Sequence, residues 1–136
     1  MIDEREKQRL CEAAAAARPR AYVPYSGFHV GAALLTAGGE IYTGCNIENA
    51  AYSPTNCAER TAVFKAVSDG ILEFAAIAII SDSEDYCAPC GVCRQVLAEF
   101  CGPDFLLLLC RRDGACKEYT LGSLLPESFG SAAFLP

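Results

Sequence analysis

The stretch CAERTAVFKAVSDGILEFAAIAIISDSEDYCAPCGVCRQVLAEFCGPDFLLLLC, residues 57–110, decides the fold. Two segments in it, FAAIAIIS (74–81) and DFLLLLC (104–110), are continuous apolar runs of strand length. Such runs are what strands covered on both faces require. CAERTAVFKAVSD (57–69) reads as a helix, with Asn56 as its N-cap and Gly70 just past its end. VCRQVLAEFC (92–101) reads as a second helix, stopped by Gly102. Strand–helix–strand crossovers of this kind pair their strands in parallel with right-handed connections.

Upstream, residues 3–18 form a helix around the AAAAA run at 13–17, ended before Pro19. AYVPYSGF is a loop rich in turn formers. HVGAALLT (29–36) and EIYTGCNI (40–47) read as strands of an antiparallel hairpin, because only Ala37-Gly38-Gly39 separates them. ENAAYSPTN (48–56) is a loop leading into the helix at 57. Downstream, Arg112-Asp113-Gly114 signals a turn before the strand CKEYTL (116–121), which must return antiparallel. LGSLLPESF closes the chain as a short helix and a tail. The expected fold is therefore α/β, a mixed sheet with helices on both faces, in one domain spanning 1–136.

With 136 residues, 52% of them hydrophobic, the chain can bury a core without staples. No apolar run reaches the roughly 20 residues of a membrane helix. MIDEREKQRL is charged and lacks the apolar segment of a secretory signal, so a cytoplasmic location is expected and no membrane partner. The net charge of −6, with no block of Lys or Arg, argues against nucleic acid and for a small-molecule partner. Nine cysteines are an odd number, so a disulfide framework is a poor reading and metal binding or buried thiols a better one. A single His excludes any site built on several histidines.

Two fragments carry the chemistry. Cys57-Ala58-Glu59-Arg60 opens one helix and Pro89-Cys90-Gly91-Val92-Cys93 opens the next. Ligands of α/β sheets sit at such strand-to-helix turns. Cys90 and Cys93 have the two-residue gap of a zinc-binding turn. Side chains in a first helical turn lean toward the helix N-terminus, so Cys57 and Glu59 can reach one point beyond it. The positive ends of both helices favour thiolate there. Three thiolates on Zn²⁺ leave one tetrahedral position for water, which Glu59 can deprotonate. Three thiolates also more than neutralise the ion, so nearby positive charge is expected. Arg60 and Arg94 are the candidates.

CAE followed by PCxxC resembles the zinc nucleoside deaminases. NIENAAYS, CAERTAVFKAVSDG and PCGVCRQVL together resemble the small homotetrameric cytidine deaminases, and the match runs from about Tyr22 to Phe129. The resemblance implies a three-layer α-β-α sandwich with a five-stranded mixed sheet and one zinc per subunit, on Cys57, Cys90 and Cys93. It implies that zinc-bound hydroxide attacks C4 of cytidine or deoxycytidine. Glu59 carries the water proton to ring N3 and helps ammonia leave, a step of pyrimidine salvage. It also implies a substrate pocket. Asn46 and Glu48 would hold the ribose hydroxyls and Phe28 would pack on the pyrimidine. Ala58 would line the site, and Ala50, Tyr52 and Phe129 would reach it across subunits of a homotetramer. A carboxylate at Glu48 should repel a phosphate, so a nucleoside is expected rather than a nucleotide.

Other readings remain open at this level. Glu59 lies three residues after Asn56, where it could complete a capping box. Cys87, where the family pattern has no cysteine, could supply a fourth thiolate and make a closed, non-catalytic zinc module. A related deaminase of modified nucleosides would share CAE and PCxxC but need not keep NIEN. His29 reads as structural or surface. Cys11, Cys45, Cys101, Cys110 and Cys116 read as small buried hydrophobes.

Overall fold

Asp3 and Glu6 start the first helix by capping each other. Glu6 N–H donates to Asp3 Oδ1 at 2.8 Å, and Asp3 N–H donates to Glu6 Oε1 at 3.4 Å. The computed structural model, which describes residues 2–135, carries this helix, α1, over Glu4–Ala17. A 3₁₀ turn at Arg18–Arg20, opened by Pro19, ends it.

A hairpin follows, β1 (Val30–Thr36) and β2 (Ile41–Cys45). Its turn reverses at Gly39, where φ is +92°. Then come α2 (Ala58–Ser68), β3 (Phe74–Ser81), α3 (Gly91–Phe100), β4 (Leu106–Cys110), β5 (Cys116–Thr120) and a short α4 (Leu121–Leu124). Gly70, with φ +86°, sits just past the C-cap of α2, as the sequence predicts.

The five strands form one mixed sheet in the order β2-β1-β3-β4-β5. β3 and β4 are parallel, and β4 and β5 antiparallel. The first crossover departs from expectation. β2 and β3 run in the same direction, but β1 lies between them, antiparallel to both. β2 keeps a free outer edge, yet α2 carries the chain across β1 and β3 pairs with the other edge of β1.

Strand alternation sorts the core into two layers. Leu34, Ile77, Ile79, Leu107 and Leu109 face α2 and α3, against Ala62, Val63, Ala66 and Leu97. Ala33, Leu35, Ala76, Ala78, Ile80 and Leu108 face α1, against Leu10 and Ala14. The three-layer arrangement follows from this two-sided burial. Backbones come very close where the sequence has glycine. A Cβ on Gly31 would lie 2.2 Å from Ala14 O, and one on Gly44 would lie 2.4 Å from Ala58 O.

His29 is structural, as read from the sequence. Its N–H donates to Asp82 Oδ2 at 2.8 Å, its Nδ1 lies 2.7 Å from the same oxygen, and Arg18 Nη1 donates to Asp82 Oδ1 at 3.2 Å. Asp82 thus ties the end of β3 to the entry of β1 and the end of α1. The His29 N–H, opposed by partial burial and reinforced by the His29 ring, holds the Asp82 carboxyl below its ordinary range. A depressed carboxyl stabilises the fold above its unfolded pKa of about 4 and loses that effect as pH falls through the folded value. Asp82→Asn should therefore lower the melting temperature at neutral pH. The gap from wild type should narrow as pH falls below about 4 and close only once pH passes the depressed folded value, where both side chains are neutral. A gap that stays constant through acid titration of the melt would show that Asp82 acts by packing alone.

Candidate metal centre

Asn56 is not the cap of α2, contrary to the sequence reading. Its backbone is committed to Ile47 in an isolated bridge: Ile47 N–H donates to Asn56 O and Asn56 N–H to Ile47 O, both at 2.9 Å. Its side-chain amide donates to Thr61 Oγ1 at 3.1 Å. Cys57 takes the N-cap instead, with extended backbone (φ −74°, ψ 156°) and a side chain that caps nothing. Glu59 is then the second helical residue rather than the third, which removes the capping-box role. Cys90 is the N-cap of α3, its sulfur 3.5 Å from Cys93 N.

The two helix starts bring the three sulfurs together. Sγ atoms of Cys57, Cys90 and Cys93 all lie within 4.8 Å of one another, and those of Cys57 and Cys90 are 3.7 Å apart. Cys93 is buried, Cys57 half-buried and Cys90 exposed, so the cluster opens to one side. Arg60 Nη2 donates to Cys57 Sγ at 3.1 Å. The Cys93 thiol, against partial burial and with Arg60 helping, pulls the Cys57 thiol down to about 5. Burial works against the Arg60 charge, yet the Cys57 and Cys93 sulfurs outweigh it and raise the guanidinium above its usual value. The donor set fits a soft divalent cation: three sulfurs, one readily ionised, at the positive ends of two helices.

Glu59 is buried, 5% exposed, in the first turn of α2. Burial pushes its carboxyl up to about 7, its own backbone N–H opposes this, and the Cys57 charge adds to it. A carboxyl poised near neutrality beside a metal-binding triad is suited to taking up and giving back a proton.

Arg94 is placed elsewhere than expected. Its Nε donates to Pro89 O at 2.8 Å and its Nη1 to Leu124 O at 2.7 Å, so it ties the start of α3 to the end of α4. The positive charge at the sulfurs comes from Arg60. Cys87 lies outside the triad, its thiol raised by burial.

The proposed pocket residues sit around the loop that feeds Cys57. Asn46 Oδ1 accepts from Val30 N at 2.9 Å, and its Nδ2 donates to Phe28 O at 2.8 Å. Each atom keeps one further hydrogen-bonding valence. Glu48 accepts from Tyr25 N, Ser26 N and the Ser26 hydroxyl. That hydroxyl, opposed by partial burial, holds the Glu48 carboxyl below its ordinary value. Phe28 is partly exposed, Ala50 exposed and Ala58 fully buried. Tyr52 and Phe129 are 72% and 65% exposed. Tyr52 has φ +63° and packs edge-to-face on Tyr25 at 6.1 Å.

The sequence reading missed a second sulfur cluster. Cys11, Cys110 and Cys116 also lie within 4.8 Å of one another, on the α1 side of the sheet. Of the five cysteines expected to be buried, only Cys110 is. Cys11, Cys45 and Cys101 are half-buried, and Cys116 is exposed because β5 is an edge strand with one face open. A signal was present, since cysteines at both ends of a hairpin turn face each other across the ladder. Cys110 and Cys116 are paired in that register.

A three-thiolate centre at two helix starts, with a buried carboxyl beside it, defines a metal-dependent hydrolytic class of site. The family described as "Cytidine and deoxycytidylate deaminase zinc-binding region" matches residues 4–109. A cytidine deaminase of Sporosarcina psychrophila is 58% identical over 113 residues, 83% of each chain. One of Halalkalibacterium halodurans is 50% identical over 124 residues, 91% of this chain and 94% of the relative. The crystal structure of a cytidine deaminase from Burkholderia pseudomallei superposes with a TM-score of 0.87 at 46% identity, covering 94% of this chain and 100% of the other. The chain belongs to the cytidine and deoxycytidylate deaminase family of zinc-dependent enzymes. No helix among the described residues is long and apolar enough to cross a membrane.

Zinc retention should depend on Arg60. Removing the guanidinium raises the Cys57 thiol, and protons then compete better with the metal. Arg60→Gln should release zinc at a higher pH than wild type when zinc content is followed across an acid titration with a metal indicator. An unchanged midpoint would show that the Arg60 charge does not reach the sulfur.

Proposed function

We propose that this chain is a cytidine and deoxycytidine deaminase that hydrolyses the C4 amino group to give uridine or deoxyuridine and ammonia. The observation that carries the proposal is Glu59, a buried carboxyl held near neutrality in the helix turn that Cys57 opens. Cys57, Cys90 and Cys93 would hold the zinc. When bound, zinc supplies Lewis acidity that makes a water nucleophilic at neutral pH. Glu59 accepts that water's proton, delivers it to ring N3 and then assists the departing ammonia. Burial of Glu59 favours the neutral form it needs after the first transfer. Arg60 offsets the excess negative charge of three thiolates through Cys57. Phe28 offers a ring face to the pyrimidine, and Ala58, at the same helix start, lets the base approach the metal. Asn46 and Glu48 use their remaining hydrogen-bonding valences on the sugar hydroxyls.

The chain acts as one zinc deaminase domain, in the cytoplasm, in pyrimidine salvage. It assembles as a homotetramer in which the loop of Ala50 and Tyr52 and the tail of Phe129 complete neighbouring sites. The exposure of Tyr52 and Phe129 supports this, since large rings left in water are favoured interface anchors.

Zinc-loaded protein incubated with cytidine should lose cytidine absorbance and release ammonia. CMP should react far more slowly, because the ionised Glu48 repels a phosphate near the sugar. No turnover of either cytidine or deoxycytidine in a zinc-replete sample would remove the proposal. Equal rates on cytidine and CMP would remove the role given to Glu48.

A further inference from the structure

We propose that Cys11, Cys110 and Cys116 form a second metal site, which takes one Cu(I) ion per chain. This rests on the geometry of the α1 face and not on the deaminase reading. The three sulfurs come from α1, the end of β4 and the start of β5, and all lie within 4.8 Å of one another. Ladder pairing places Cys110 opposite Cys116, and α1 lays Cys11 over them. They line one side of an open cleft of about 560 Å³ that also holds Lys7, Glu12 and Arg111. A solvated ion can therefore reach them. The catalytic triad stands at the starts of α2 and α3, on the other side of the sheet.

The donor set selects the ion. Thiolates without imidazole or carboxylate favour soft closed-shell cations, Cu(I) and Zn²⁺ among them. The chain's only histidine is committed to Asp82. Among the described residues no fourth Cys, His, Asp or Glu joins the three sulfurs, whereas a structural zinc site is closed by four ligands. Glu118, two residues along from Cys116, is engaged by Lys7 Nζ at 2.9 Å. Cu(I) accepts a three-coordinate all-sulfur set. Two of the donors are already in contact, with Cys110 Sγ 2.8 Å from Cys11 Sγ. Cu(I) would enter as the thiol protons leave to solvent, with no change in oxidation state of metal or sulfur. Lys7, paired with Glu4 and Glu118, and Arg111, paired with Asp113, are the nearest cations, and Glu12 stands unpaired by them in the same cleft.

The test titrates zinc-loaded full-length protein, under reductant and without oxygen, with Cu(I) buffered by a chromophoric chelator. Wild type should bind one Cu(I) per chain with zinc content and deamination rate unchanged. Cys116→Ser and Cys11→Ser should each weaken copper binding by at least the about 10–100-fold that loss of an outer-shell partner costs a metal site. Both should keep zinc and activity. Cys116 is exposed on an edge strand, so its serine variant should fold, and its melt checks this. Copper that expels zinc, abolishes turnover and binds both variants as well as wild type would overturn the proposal. So would the absence of a copper equivalent beyond zinc. A native mass two hydrogens light, with Cys11 joined to Cys110 in protein kept reduced, would assign the cluster to disulfide chemistry instead.

Discussion

Glu59→Gln should leave the zinc content and the melt of the protein close to wild type and lower kcat on cytidine by about 10²–10⁴-fold. The amide keeps the shape of the side chain and its place in the first turn of α2. It also relieves a cost, because burial disfavours the charged carboxylate that the amide replaces. What it cannot do is accept a proton from water and return it to the ring. KM should change little, since in the proposed role Glu59 moves protons and does not touch the sugar. Zinc quantification, a thermal melt and loss of cytidine absorbance on one sample separate these effects. Near-normal turnover with full zinc would take the proton-carrying role from Glu59. Loss of zinc would show that the carboxyl helps hold the metal.

Gly44→Ala should be among the most damaging single-methyl changes in the sheet, with Gly31→Ala, whose Cβ would meet α1 still more closely. The added Cβ would stand 2.4 Å from Ala58 O and 2.6 Å from Ala62 N, both backbone atoms of α2. No side chain can turn away to make room, so the helix itself must move. Overpacking of this kind costs about 1–3 kcal/mol in well-packed cores, and backbone contacts place this site at the upper end. The displaced turn carries Ala58, with Cys57 before it and Glu59 after it, so stability and kcat should fall together. Gly102→Ala is the control: nothing lies within 4 Å of a Cβ there, and the melt should stay near wild type. A Gly44→Ala protein with wild-type melt and turnover would mean that α2 can shift without disturbing the triad.

The sequence made much of this legible because burial and chemistry left local marks. FAAIAIIS reads as a doubly covered strand and is β3 to the residue. The two-residue gap of Cys90 and Cys93 and the CAE at the preceding helix start pointed to one cluster, and their sulfurs converge. Strand order was less legible, because β3 could take the free edge of β2 or that of β1, a competition between distant partners. Asn56 looked like a cap because Asn favours that position. A backbone bridge to Ile47 claimed it first. Arg94 has the right charge and stands next to Cys93, but its direction along α3 sends it to the carbonyls of Pro89 and Leu124. The Cys11 cluster joins residues about a hundred positions apart, and only the hairpin register of Cys110 and Cys116 foreshadowed it.

The bridge between Ile47 and Asn56 has a consequence for how such a chain can diversify. It pinches residues 48–55 into a lasso whose knot sits one residue before Cys57. Lengthening or shortening the tip, where Ala50, Tyr52 and Pro54 stand in solvent, changes only the surface the loop presents. The knot absorbs the change, since extra length in a solvent-exposed tip adds little to closure entropy. The start of α2 downstream stays fixed while the tip upstream is free to vary.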